Sequence, residues 1–232
     1  MVFATADFMA AYPIYDSAAK QYNLEAPVFL VSENTDPDST RNPAFELSYW
    51  RYGLRTAIEW RKRLQLPEAP TWNDVLKNLA PLPLQNNKYV TFEGIENMWT
   101  KYNYEHPGLI AIYGMLPGDG VDTALLRNTY NEVLKTWDFN RSWGWDFPVV
   151  AMCAAKLNQP ETAIDMLMYQ NKHNSYDALG YNSWVYFPAN GGLLSAIAMM
   201  AGGWDGGPGT YAPGFPKNGK WKVRVEGFGK MQ

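Results

Sequence analysis

The chain has 232 residues, enough to bury one substantial core or two small ones. Its net charge of −3 gives no electrostatic case for nucleic acid or another polyanionic partner, and no stretch reaches the roughly 18 apolar residues of a membrane-spanning helix. One cysteine, Cys153, excludes an internal disulfide and suits a core position. With only two histidines beside it there is no usual zinc set, so neither a metal nor another cofactor is expected.

In chain order, Met1–Asp7 lacks the basic start and apolar core of a signal peptide. Tyr12–Tyr15, a polar turn over Asp16–Lys20, Tyr22 and the run Pro27–Val31 predict a β-hairpin leading to Glu33. A polar loop, Asn34–Arg41, follows. Asn42-Pro43 supplies an N-cap and a first-turn proline for a helix running to about Leu64. Its first half is aromatic nearly all round (Phe45, Tyr49, Trp50, Tyr52), as in a buried or cavity-lining helix. Its second half, with Arg55, Arg61, Lys62 and Arg63 beside Trp60, reads as a solvated outer face. A short helix over Trp72–Leu79 precedes a loop carrying Glu93 and Glu96.

From there a repeat appears. Three segments rich in small apolar residues begin at His106, Pro148 and Asn190, 42 residues apart each time, each just after an aromatic (Tyr104, Trp145, Phe187). Amphipathic helices over Val121–Trp137 and Gln159–Gln170 lie between them. Small apolar helices alternating with amphipathic ones give an inner and an outer layer, and a period near 42 residues is one helical hairpin with its loops. The long aromatic loops entering each inner helix favour a closed α/α toroid with a site at its mouth. Gly202–Gly219 is rich in Gly and Pro, and Lys220–Glu226 alternates as one final strand would. The expected division is a hairpin and acid-bearing loop over 1–41, helical hairpins over 42–203 and a tail over 204–232.

The chemistry-bearing positions are few. Glu33, in Val-Ser-Glu-Asn-Thr-Asp-Pro, and Asp146, in Trp-Gly-Trp-Asp-Phe-Pro, are carboxylates in aromatic and amide-rich frames, the kind of acid–base pair that hydrolysis of a glycosidic bond requires. Aromatics are 15% of the chain, with 10 Trp and 15 Tyr, which suits stacking on sugar rings and equally suits a large helical core. Trp143 and Trp145 are the favoured stacking residues among Trp50, Trp99, Trp143, Trp145 and Trp184. Glu93 and Glu96 are rival carboxylates for sugar hydroxyls or base work, or a solvated loop. His106 is a substrate contact or a structural histidine, and Asp146 a base or a helix cap. His173 reads as exposed.

On these residues the chain resembles the C-terminal half of the six-hairpin (α/α)6 glycoside hydrolases, around glycoside hydrolase family 65 and its uncharacterised bacterial relatives. Val31-Ser-Glu-Asn, a polar loop and Asn42-Pro-Ala-Phe-Glu-Leu resemble that family's acid motif in order and spacing, which implies Glu33 as general acid. Asn190-Gly-Gly-Leu-Leu-Ser-Ala is similar to its last inner helix, which adds Asn190 to the substrate-binding candidates. Family phosphorylases hold phosphate with a Ser-containing loop where this chain has Trp143-Gly-Trp-Asp146. A carboxylate there would repel phosphate and activate water instead. The resemblance thus implies an inverting glycoside hydrolase, a glycosidase once the barrel is completed, acting on an oligosaccharide or glycoside. The alternatives are a glycoside phosphorylase and a non-catalytic carbohydrate-binding module. Four inner helices are countable against six in the toroid, so an incomplete toroid is expected, with homo-oligomers covering its open edges. The chain alone fixes no location; the resemblance implies secretion or a periplasmic home given a signal peptide upstream.

Overall fold

A helix precedes everything that the pattern singled out. In the computed structural model, which describes residues 1–182, 185–227 and 229–231, α1 spans Val2–Ala11. It has no side-chain cap and no polar face, so sequence periodicity does not announce it. Its stability comes from packing: Ala6, Met9 and Ala10 are buried, Trp72 donates its indole N–H to Asp7 and Trp50 donates to the Met9 carbonyl.

The expected hairpin is present but shorter. Ile14–Asp16 (β1) pairs antiparallel with Gln21–Asn23 (β2), Tyr15 opposite Tyr22. The run Pro27–Val31 is not a strand. Proline 27 has no N–H to give a ladder, the Val28 N–H goes to the Pro37 carbonyl, and the Val31 N–H goes to the Glu46 carboxylate. A second small antiparallel hairpin joins Leu84–Gln85 (β3) to Lys88–Tyr89 (β4).

The rest is helical: Ala44–Arg63 (α2), Pro70–Asn78 (α3), Met98–Lys101 (α4), Gly108–Ala111 (α5), Thr123–Thr136 (α6), Asp146–Lys156 (α7), Pro160–Leu167 (α8) and Phe187–Gly202 (α9). Asn42 does not cap α2. Its amide instead ties the second hairpin strand to the helix start, accepting from Leu24 N–H and donating to Asn23 and Glu93. The α5 segment stops after one turn because Gly114 takes φ +149, and a Cβ there would meet the α7 backbone at Cys153 N, 2.7 Å away.

The inner layer is centred on α7. Ten of its residues in succession, Asp146 to Ala155, are buried, including Cys153. It packs on α5, α8 and α9. At its end Asn158, in the left-handed region, lets Asn158 N–H reach the Ala155 carbonyl and Gln159 N–H reach the Ala154 carbonyl. That double closure turns the chain directly into α8, which opens on Pro160. The outer helix α6 is capped by Asp122, whose carboxylate accepts from Ala124 and Leu125 N–H. The hairpin α7–α8 followed by α9 is the repeat unit legible in the sequence. The architecture is mainly helical, a partial α/α toroid with two small β-hairpins.

The final strand is absent. Lys220–Glu226 keeps its alternation, with Val223 and Val225 half-buried, yet has no neighbouring strand among the described residues. The Tyr211 hydroxyl serves it instead, donating to the Val223 carbonyl and accepting from Val225 N–H. Among the described residues, the tail's one ladder contact is the isolated bridge Trp204–Met231. Among the described residues, no helix is long and apolar enough to cross a membrane.

Candidate active site

Helix starts and the loops before them converge at one end of the inner layer. The segment Trp143-Gly-Trp-Asp146 lies at the entrance to α7, and Gly144 explains how it fits. A Cβ there would stand 2.5 Å from the His173 carbonyl and 2.6 Å from the Ala189 Cβ, so only glycine lets three segments meet. Asp146 begins α7 and turns its carboxylate back. Oδ2 accepts the Trp143 N–H at 2.7 Å, and Oδ1 pairs with His106 Nδ1 at 2.7 Å. The carboxylate is 0% exposed and the imidazole 10%. Burial raises the Asp146 pKa, opposed by the His106 hydrogen bond and charge and by the Trp143 N–H. The pair holds a proton between Nδ1 and Oδ1, leaving Nε2 as the ring's remaining polar atom.

Aromatic rings enclose this pair. Trp145 lies 4.4 Å from His106, and Trp143, 48% exposed, lies 4.8 Å from the His173 ring and 6.1 Å from Tyr186. His173 is therefore part of the same cluster and not a freely exposed residue. Its pKa is lowered by burial and by Lys172, against a raising contribution from Asp146. The Tyr186 pKa is raised by burial and by the charges of Asp146 and Glu33.

Glu33 is exposed on a turn closed by its own N–H to the Leu30 carbonyl, with φ +68. A glutamate in the left-handed region carries a local conformational cost of about 1 kcal/mol. Two buried carboxyls that the sequence reading passed over flank this turn. Glu46, in the first turn of α2, accepts the Val31 N–H through Oε1 at 2.7 Å, while Oε2 is buried without a partner, and burial pushes its pKa to about 7. Glu105 is 4% exposed, its Oε1 is buried without a partner, and burial likewise raises its pKa.

Most of the other candidate positions serve the packing of the chain. Glu93 bridges Arg41 at 2.8 Å and accepts from Asn42, tying two loops together. Glu96 is exposed, its charge felt by Lys101. Asn190 uses its amide to hold the preceding loop, donating to the Gly180 carbonyl and accepting from Asn182 N–H. Trp50 and Trp99 pack against the core, and Trp184 lies outside the described residues. Among the described residues, no three of His, Cys, Asp and Glu gather as a metal ion would require.

No protein-family profile and no curated protein matches the chain. Among solved structures, it is similar to a presumed kojibiose phosphorylase from human microbiome, with a TM-score of 0.57 and 8% identity over 85% of this chain. The chain spans 35% of that protein's length, about a third. At that identity the likeness is one of architecture. Together with the repeat of inner and outer helices, it identifies the chain's fold as six-hairpin glycosidase-like.

Proposed function

We propose that this chain carries one wall of a site that cleaves a glycosidic bond. The observation that carries the reading is the buried Asp146–His106 pair packed against Trp145, with Val31, two residues before Glu33, lining the same hollow as Trp145. Glu33 is the proton donor to the leaving oxygen; its exposure keeps it accessible to a ligand. Asp146 has both oxygens engaged and no exposed surface, so it does not touch water itself. Its part is to hold His106 in one orientation and tautomer, so that Nε2 prepares the nucleophile opposite Glu33. Inversion then follows if a water stands between the two. Trp143, 48% exposed, offers a ring face to the sugar.

A second reading replaces water by phosphate. It is favoured by the activity named for the structural neighbour and by His106, since an imidazole is a better anion contact than a bare carboxylate. Asp146 turns its carboxylate to His106 and the Trp143 N–H, so it does not meet a phosphate directly.

Kojibiose, incubated with and without inorganic phosphate, separates the readings: free glucose in both cases supports hydrolysis, and a phosphate-dependent glucose 1-phosphate product supports phosphorolysis. Glu33→Gln should abolish either product. Asp146→Asn should lower turnover by roughly 10²–10⁴-fold through the wrong histidine tautomer, with the fold retained. Sugar binding seen by calorimetry without any product would leave the non-catalytic module.

A further inference from the structure

A hollow of about 530 Å³ opens between α7 and α9, with Trp145 in its lining. Its chemistry is unlike that of the polar cluster. Val149 and Met152 of α7 form one side, Met115 and Met231 close it, and Ser195 of α9 supplies a single hydroxyl. A sugar ring has hydroxyls on every edge and would leave most of them without partners here. An apolar group would leave none, and methionines adapt to its outline. An apolar cavity of about 150 Å³ holds benzene, so this one has room for a bicyclic aromatic group.

Two features join the hollow to the candidate active site. Trp145 is a wall of both. Val31, also in its lining, is two residues from Glu33 and packs on Gly108, where an added Cβ would stand 2.6 Å from Val31 Cγ1. The floor along α9 is open at Gly191, where a Cβ would meet nothing within 4 Å.

We infer that the hollow receives the apolar aglycone of a glycoside whose sugar sits against His106 and Glu33. The inference rests on the glycoside reading above and narrows it to amphipathic substrates, aryl or long-chain alkyl glycosides, over free oligosaccharides.

The test compares methyl and phenyl glucosides, both anomers, with the neutral dye N-phenyl-1-naphthylamine, by calorimetry and dye fluorescence on the full chain. The variants are Gly191→Leu and Ser195→Leu, which narrow the hollow from a helix that tolerates leucine; unchanged thermal unfolding certifies their fold. The expected result is phenyl glucoside binding at least tenfold tighter than methyl glucoside. Both variants should erase that difference and leave methyl glucoside binding intact. Equal binding of the two glucosides, with no dye uptake, would overturn the aglycone site while leaving the sugar reading standing. Dye uptake with neither glucoside bound would overturn the glycosidic function and the aglycone assignment together. Dye uptake that falls as protein concentration rises would mean that a second copy fills the hollow, and the small-molecule assignment would fail.

Discussion

Helices α7 and α9 are built from the same kind of residue, yet the molecule treats them differently. In α7 every position from Asp146 to Ala155 is buried. In α9, Phe187, Leu194 and Ile197 form an open stripe at 65%, 69% and 41% exposure, while Ala196, Met199 and Met200 on the opposite side are buried. An apolar sequence therefore identifies an inner helix but says nothing of how many neighbours it has. α7 has α5, α8 and α9 around it; in the described residues α9 has neighbours on one side only. The stripe is an apolar surface of the kind that a further packed element covers.

The comparison can be broken by putting one charge in each helix. Val150→Asp places a carboxylate at a fully buried position without a partner and should cost more than about 4 kcal/mol, enough to lose cooperative unfolding. Glu46→Gln probes the buried carboxyl next to the acid-bearing turn. Its pKa in the folded chain is about 7, above its ordinary value of 4.5, so its contribution to stability is full below pH 4.5 and is lost as pH rises through 7. The glutamine variant should lose that part of the pH dependence across the window. At pH 8 it should exceed the parent by up to about 3 kcal/mol, and at pH 4.5 match it. Denaturant titrations at the two pH values check both halves. Gly144→Ala should cost roughly 1–3 kcal/mol, because the His173 carbonyl and Ala189 must move apart, and it should disturb Trp143 fluorescence. Leu194→Asp, 69% exposed, should shift stability by no more than about 0.5 kcal/mol. A loss as large as that for Val150→Asp would mean that the open stripe is covered in solution.

The repeat made the helices legible, and it also explains a contact that was not. His106 and Asp146 stand out separately in the sequence, each at the entrance to an inner helix, and they are 40 positions apart. That is nearly one repeat, so stacking consecutive hairpins brings equivalent entrances side by side. Nothing in either segment alone reports that meeting, nor that Asp146 spends both oxygens on it. Glu46 was hidden for a different reason: among Phe45, Tyr49 and Tyr52 it reads as one polar residue on an aromatic helix, and its burial depends on the loop that brings Val31 over it. Residues Pro27–Val31 and Lys220–Glu226 have strand composition without a strand to pair with. The α1 helix has the reverse problem, since its apolar surface carries no helical stripe and only α2 and α3 give it a place to pack. Composition and period set the layers here; partners distant in sequence decide which segments become strands and which carboxyls lose water.

Cys153 sits at the middle of α7, its thiol driven well above the ordinary range by burial, and no other sulfhydryl exists in the chain. A thiol reagent consequently has one target, and can reach it only when the central rod parts from its neighbours. The speed of that single modification is a built-in clock for opening of the innermost layer, readable without adding any label or changing any residue.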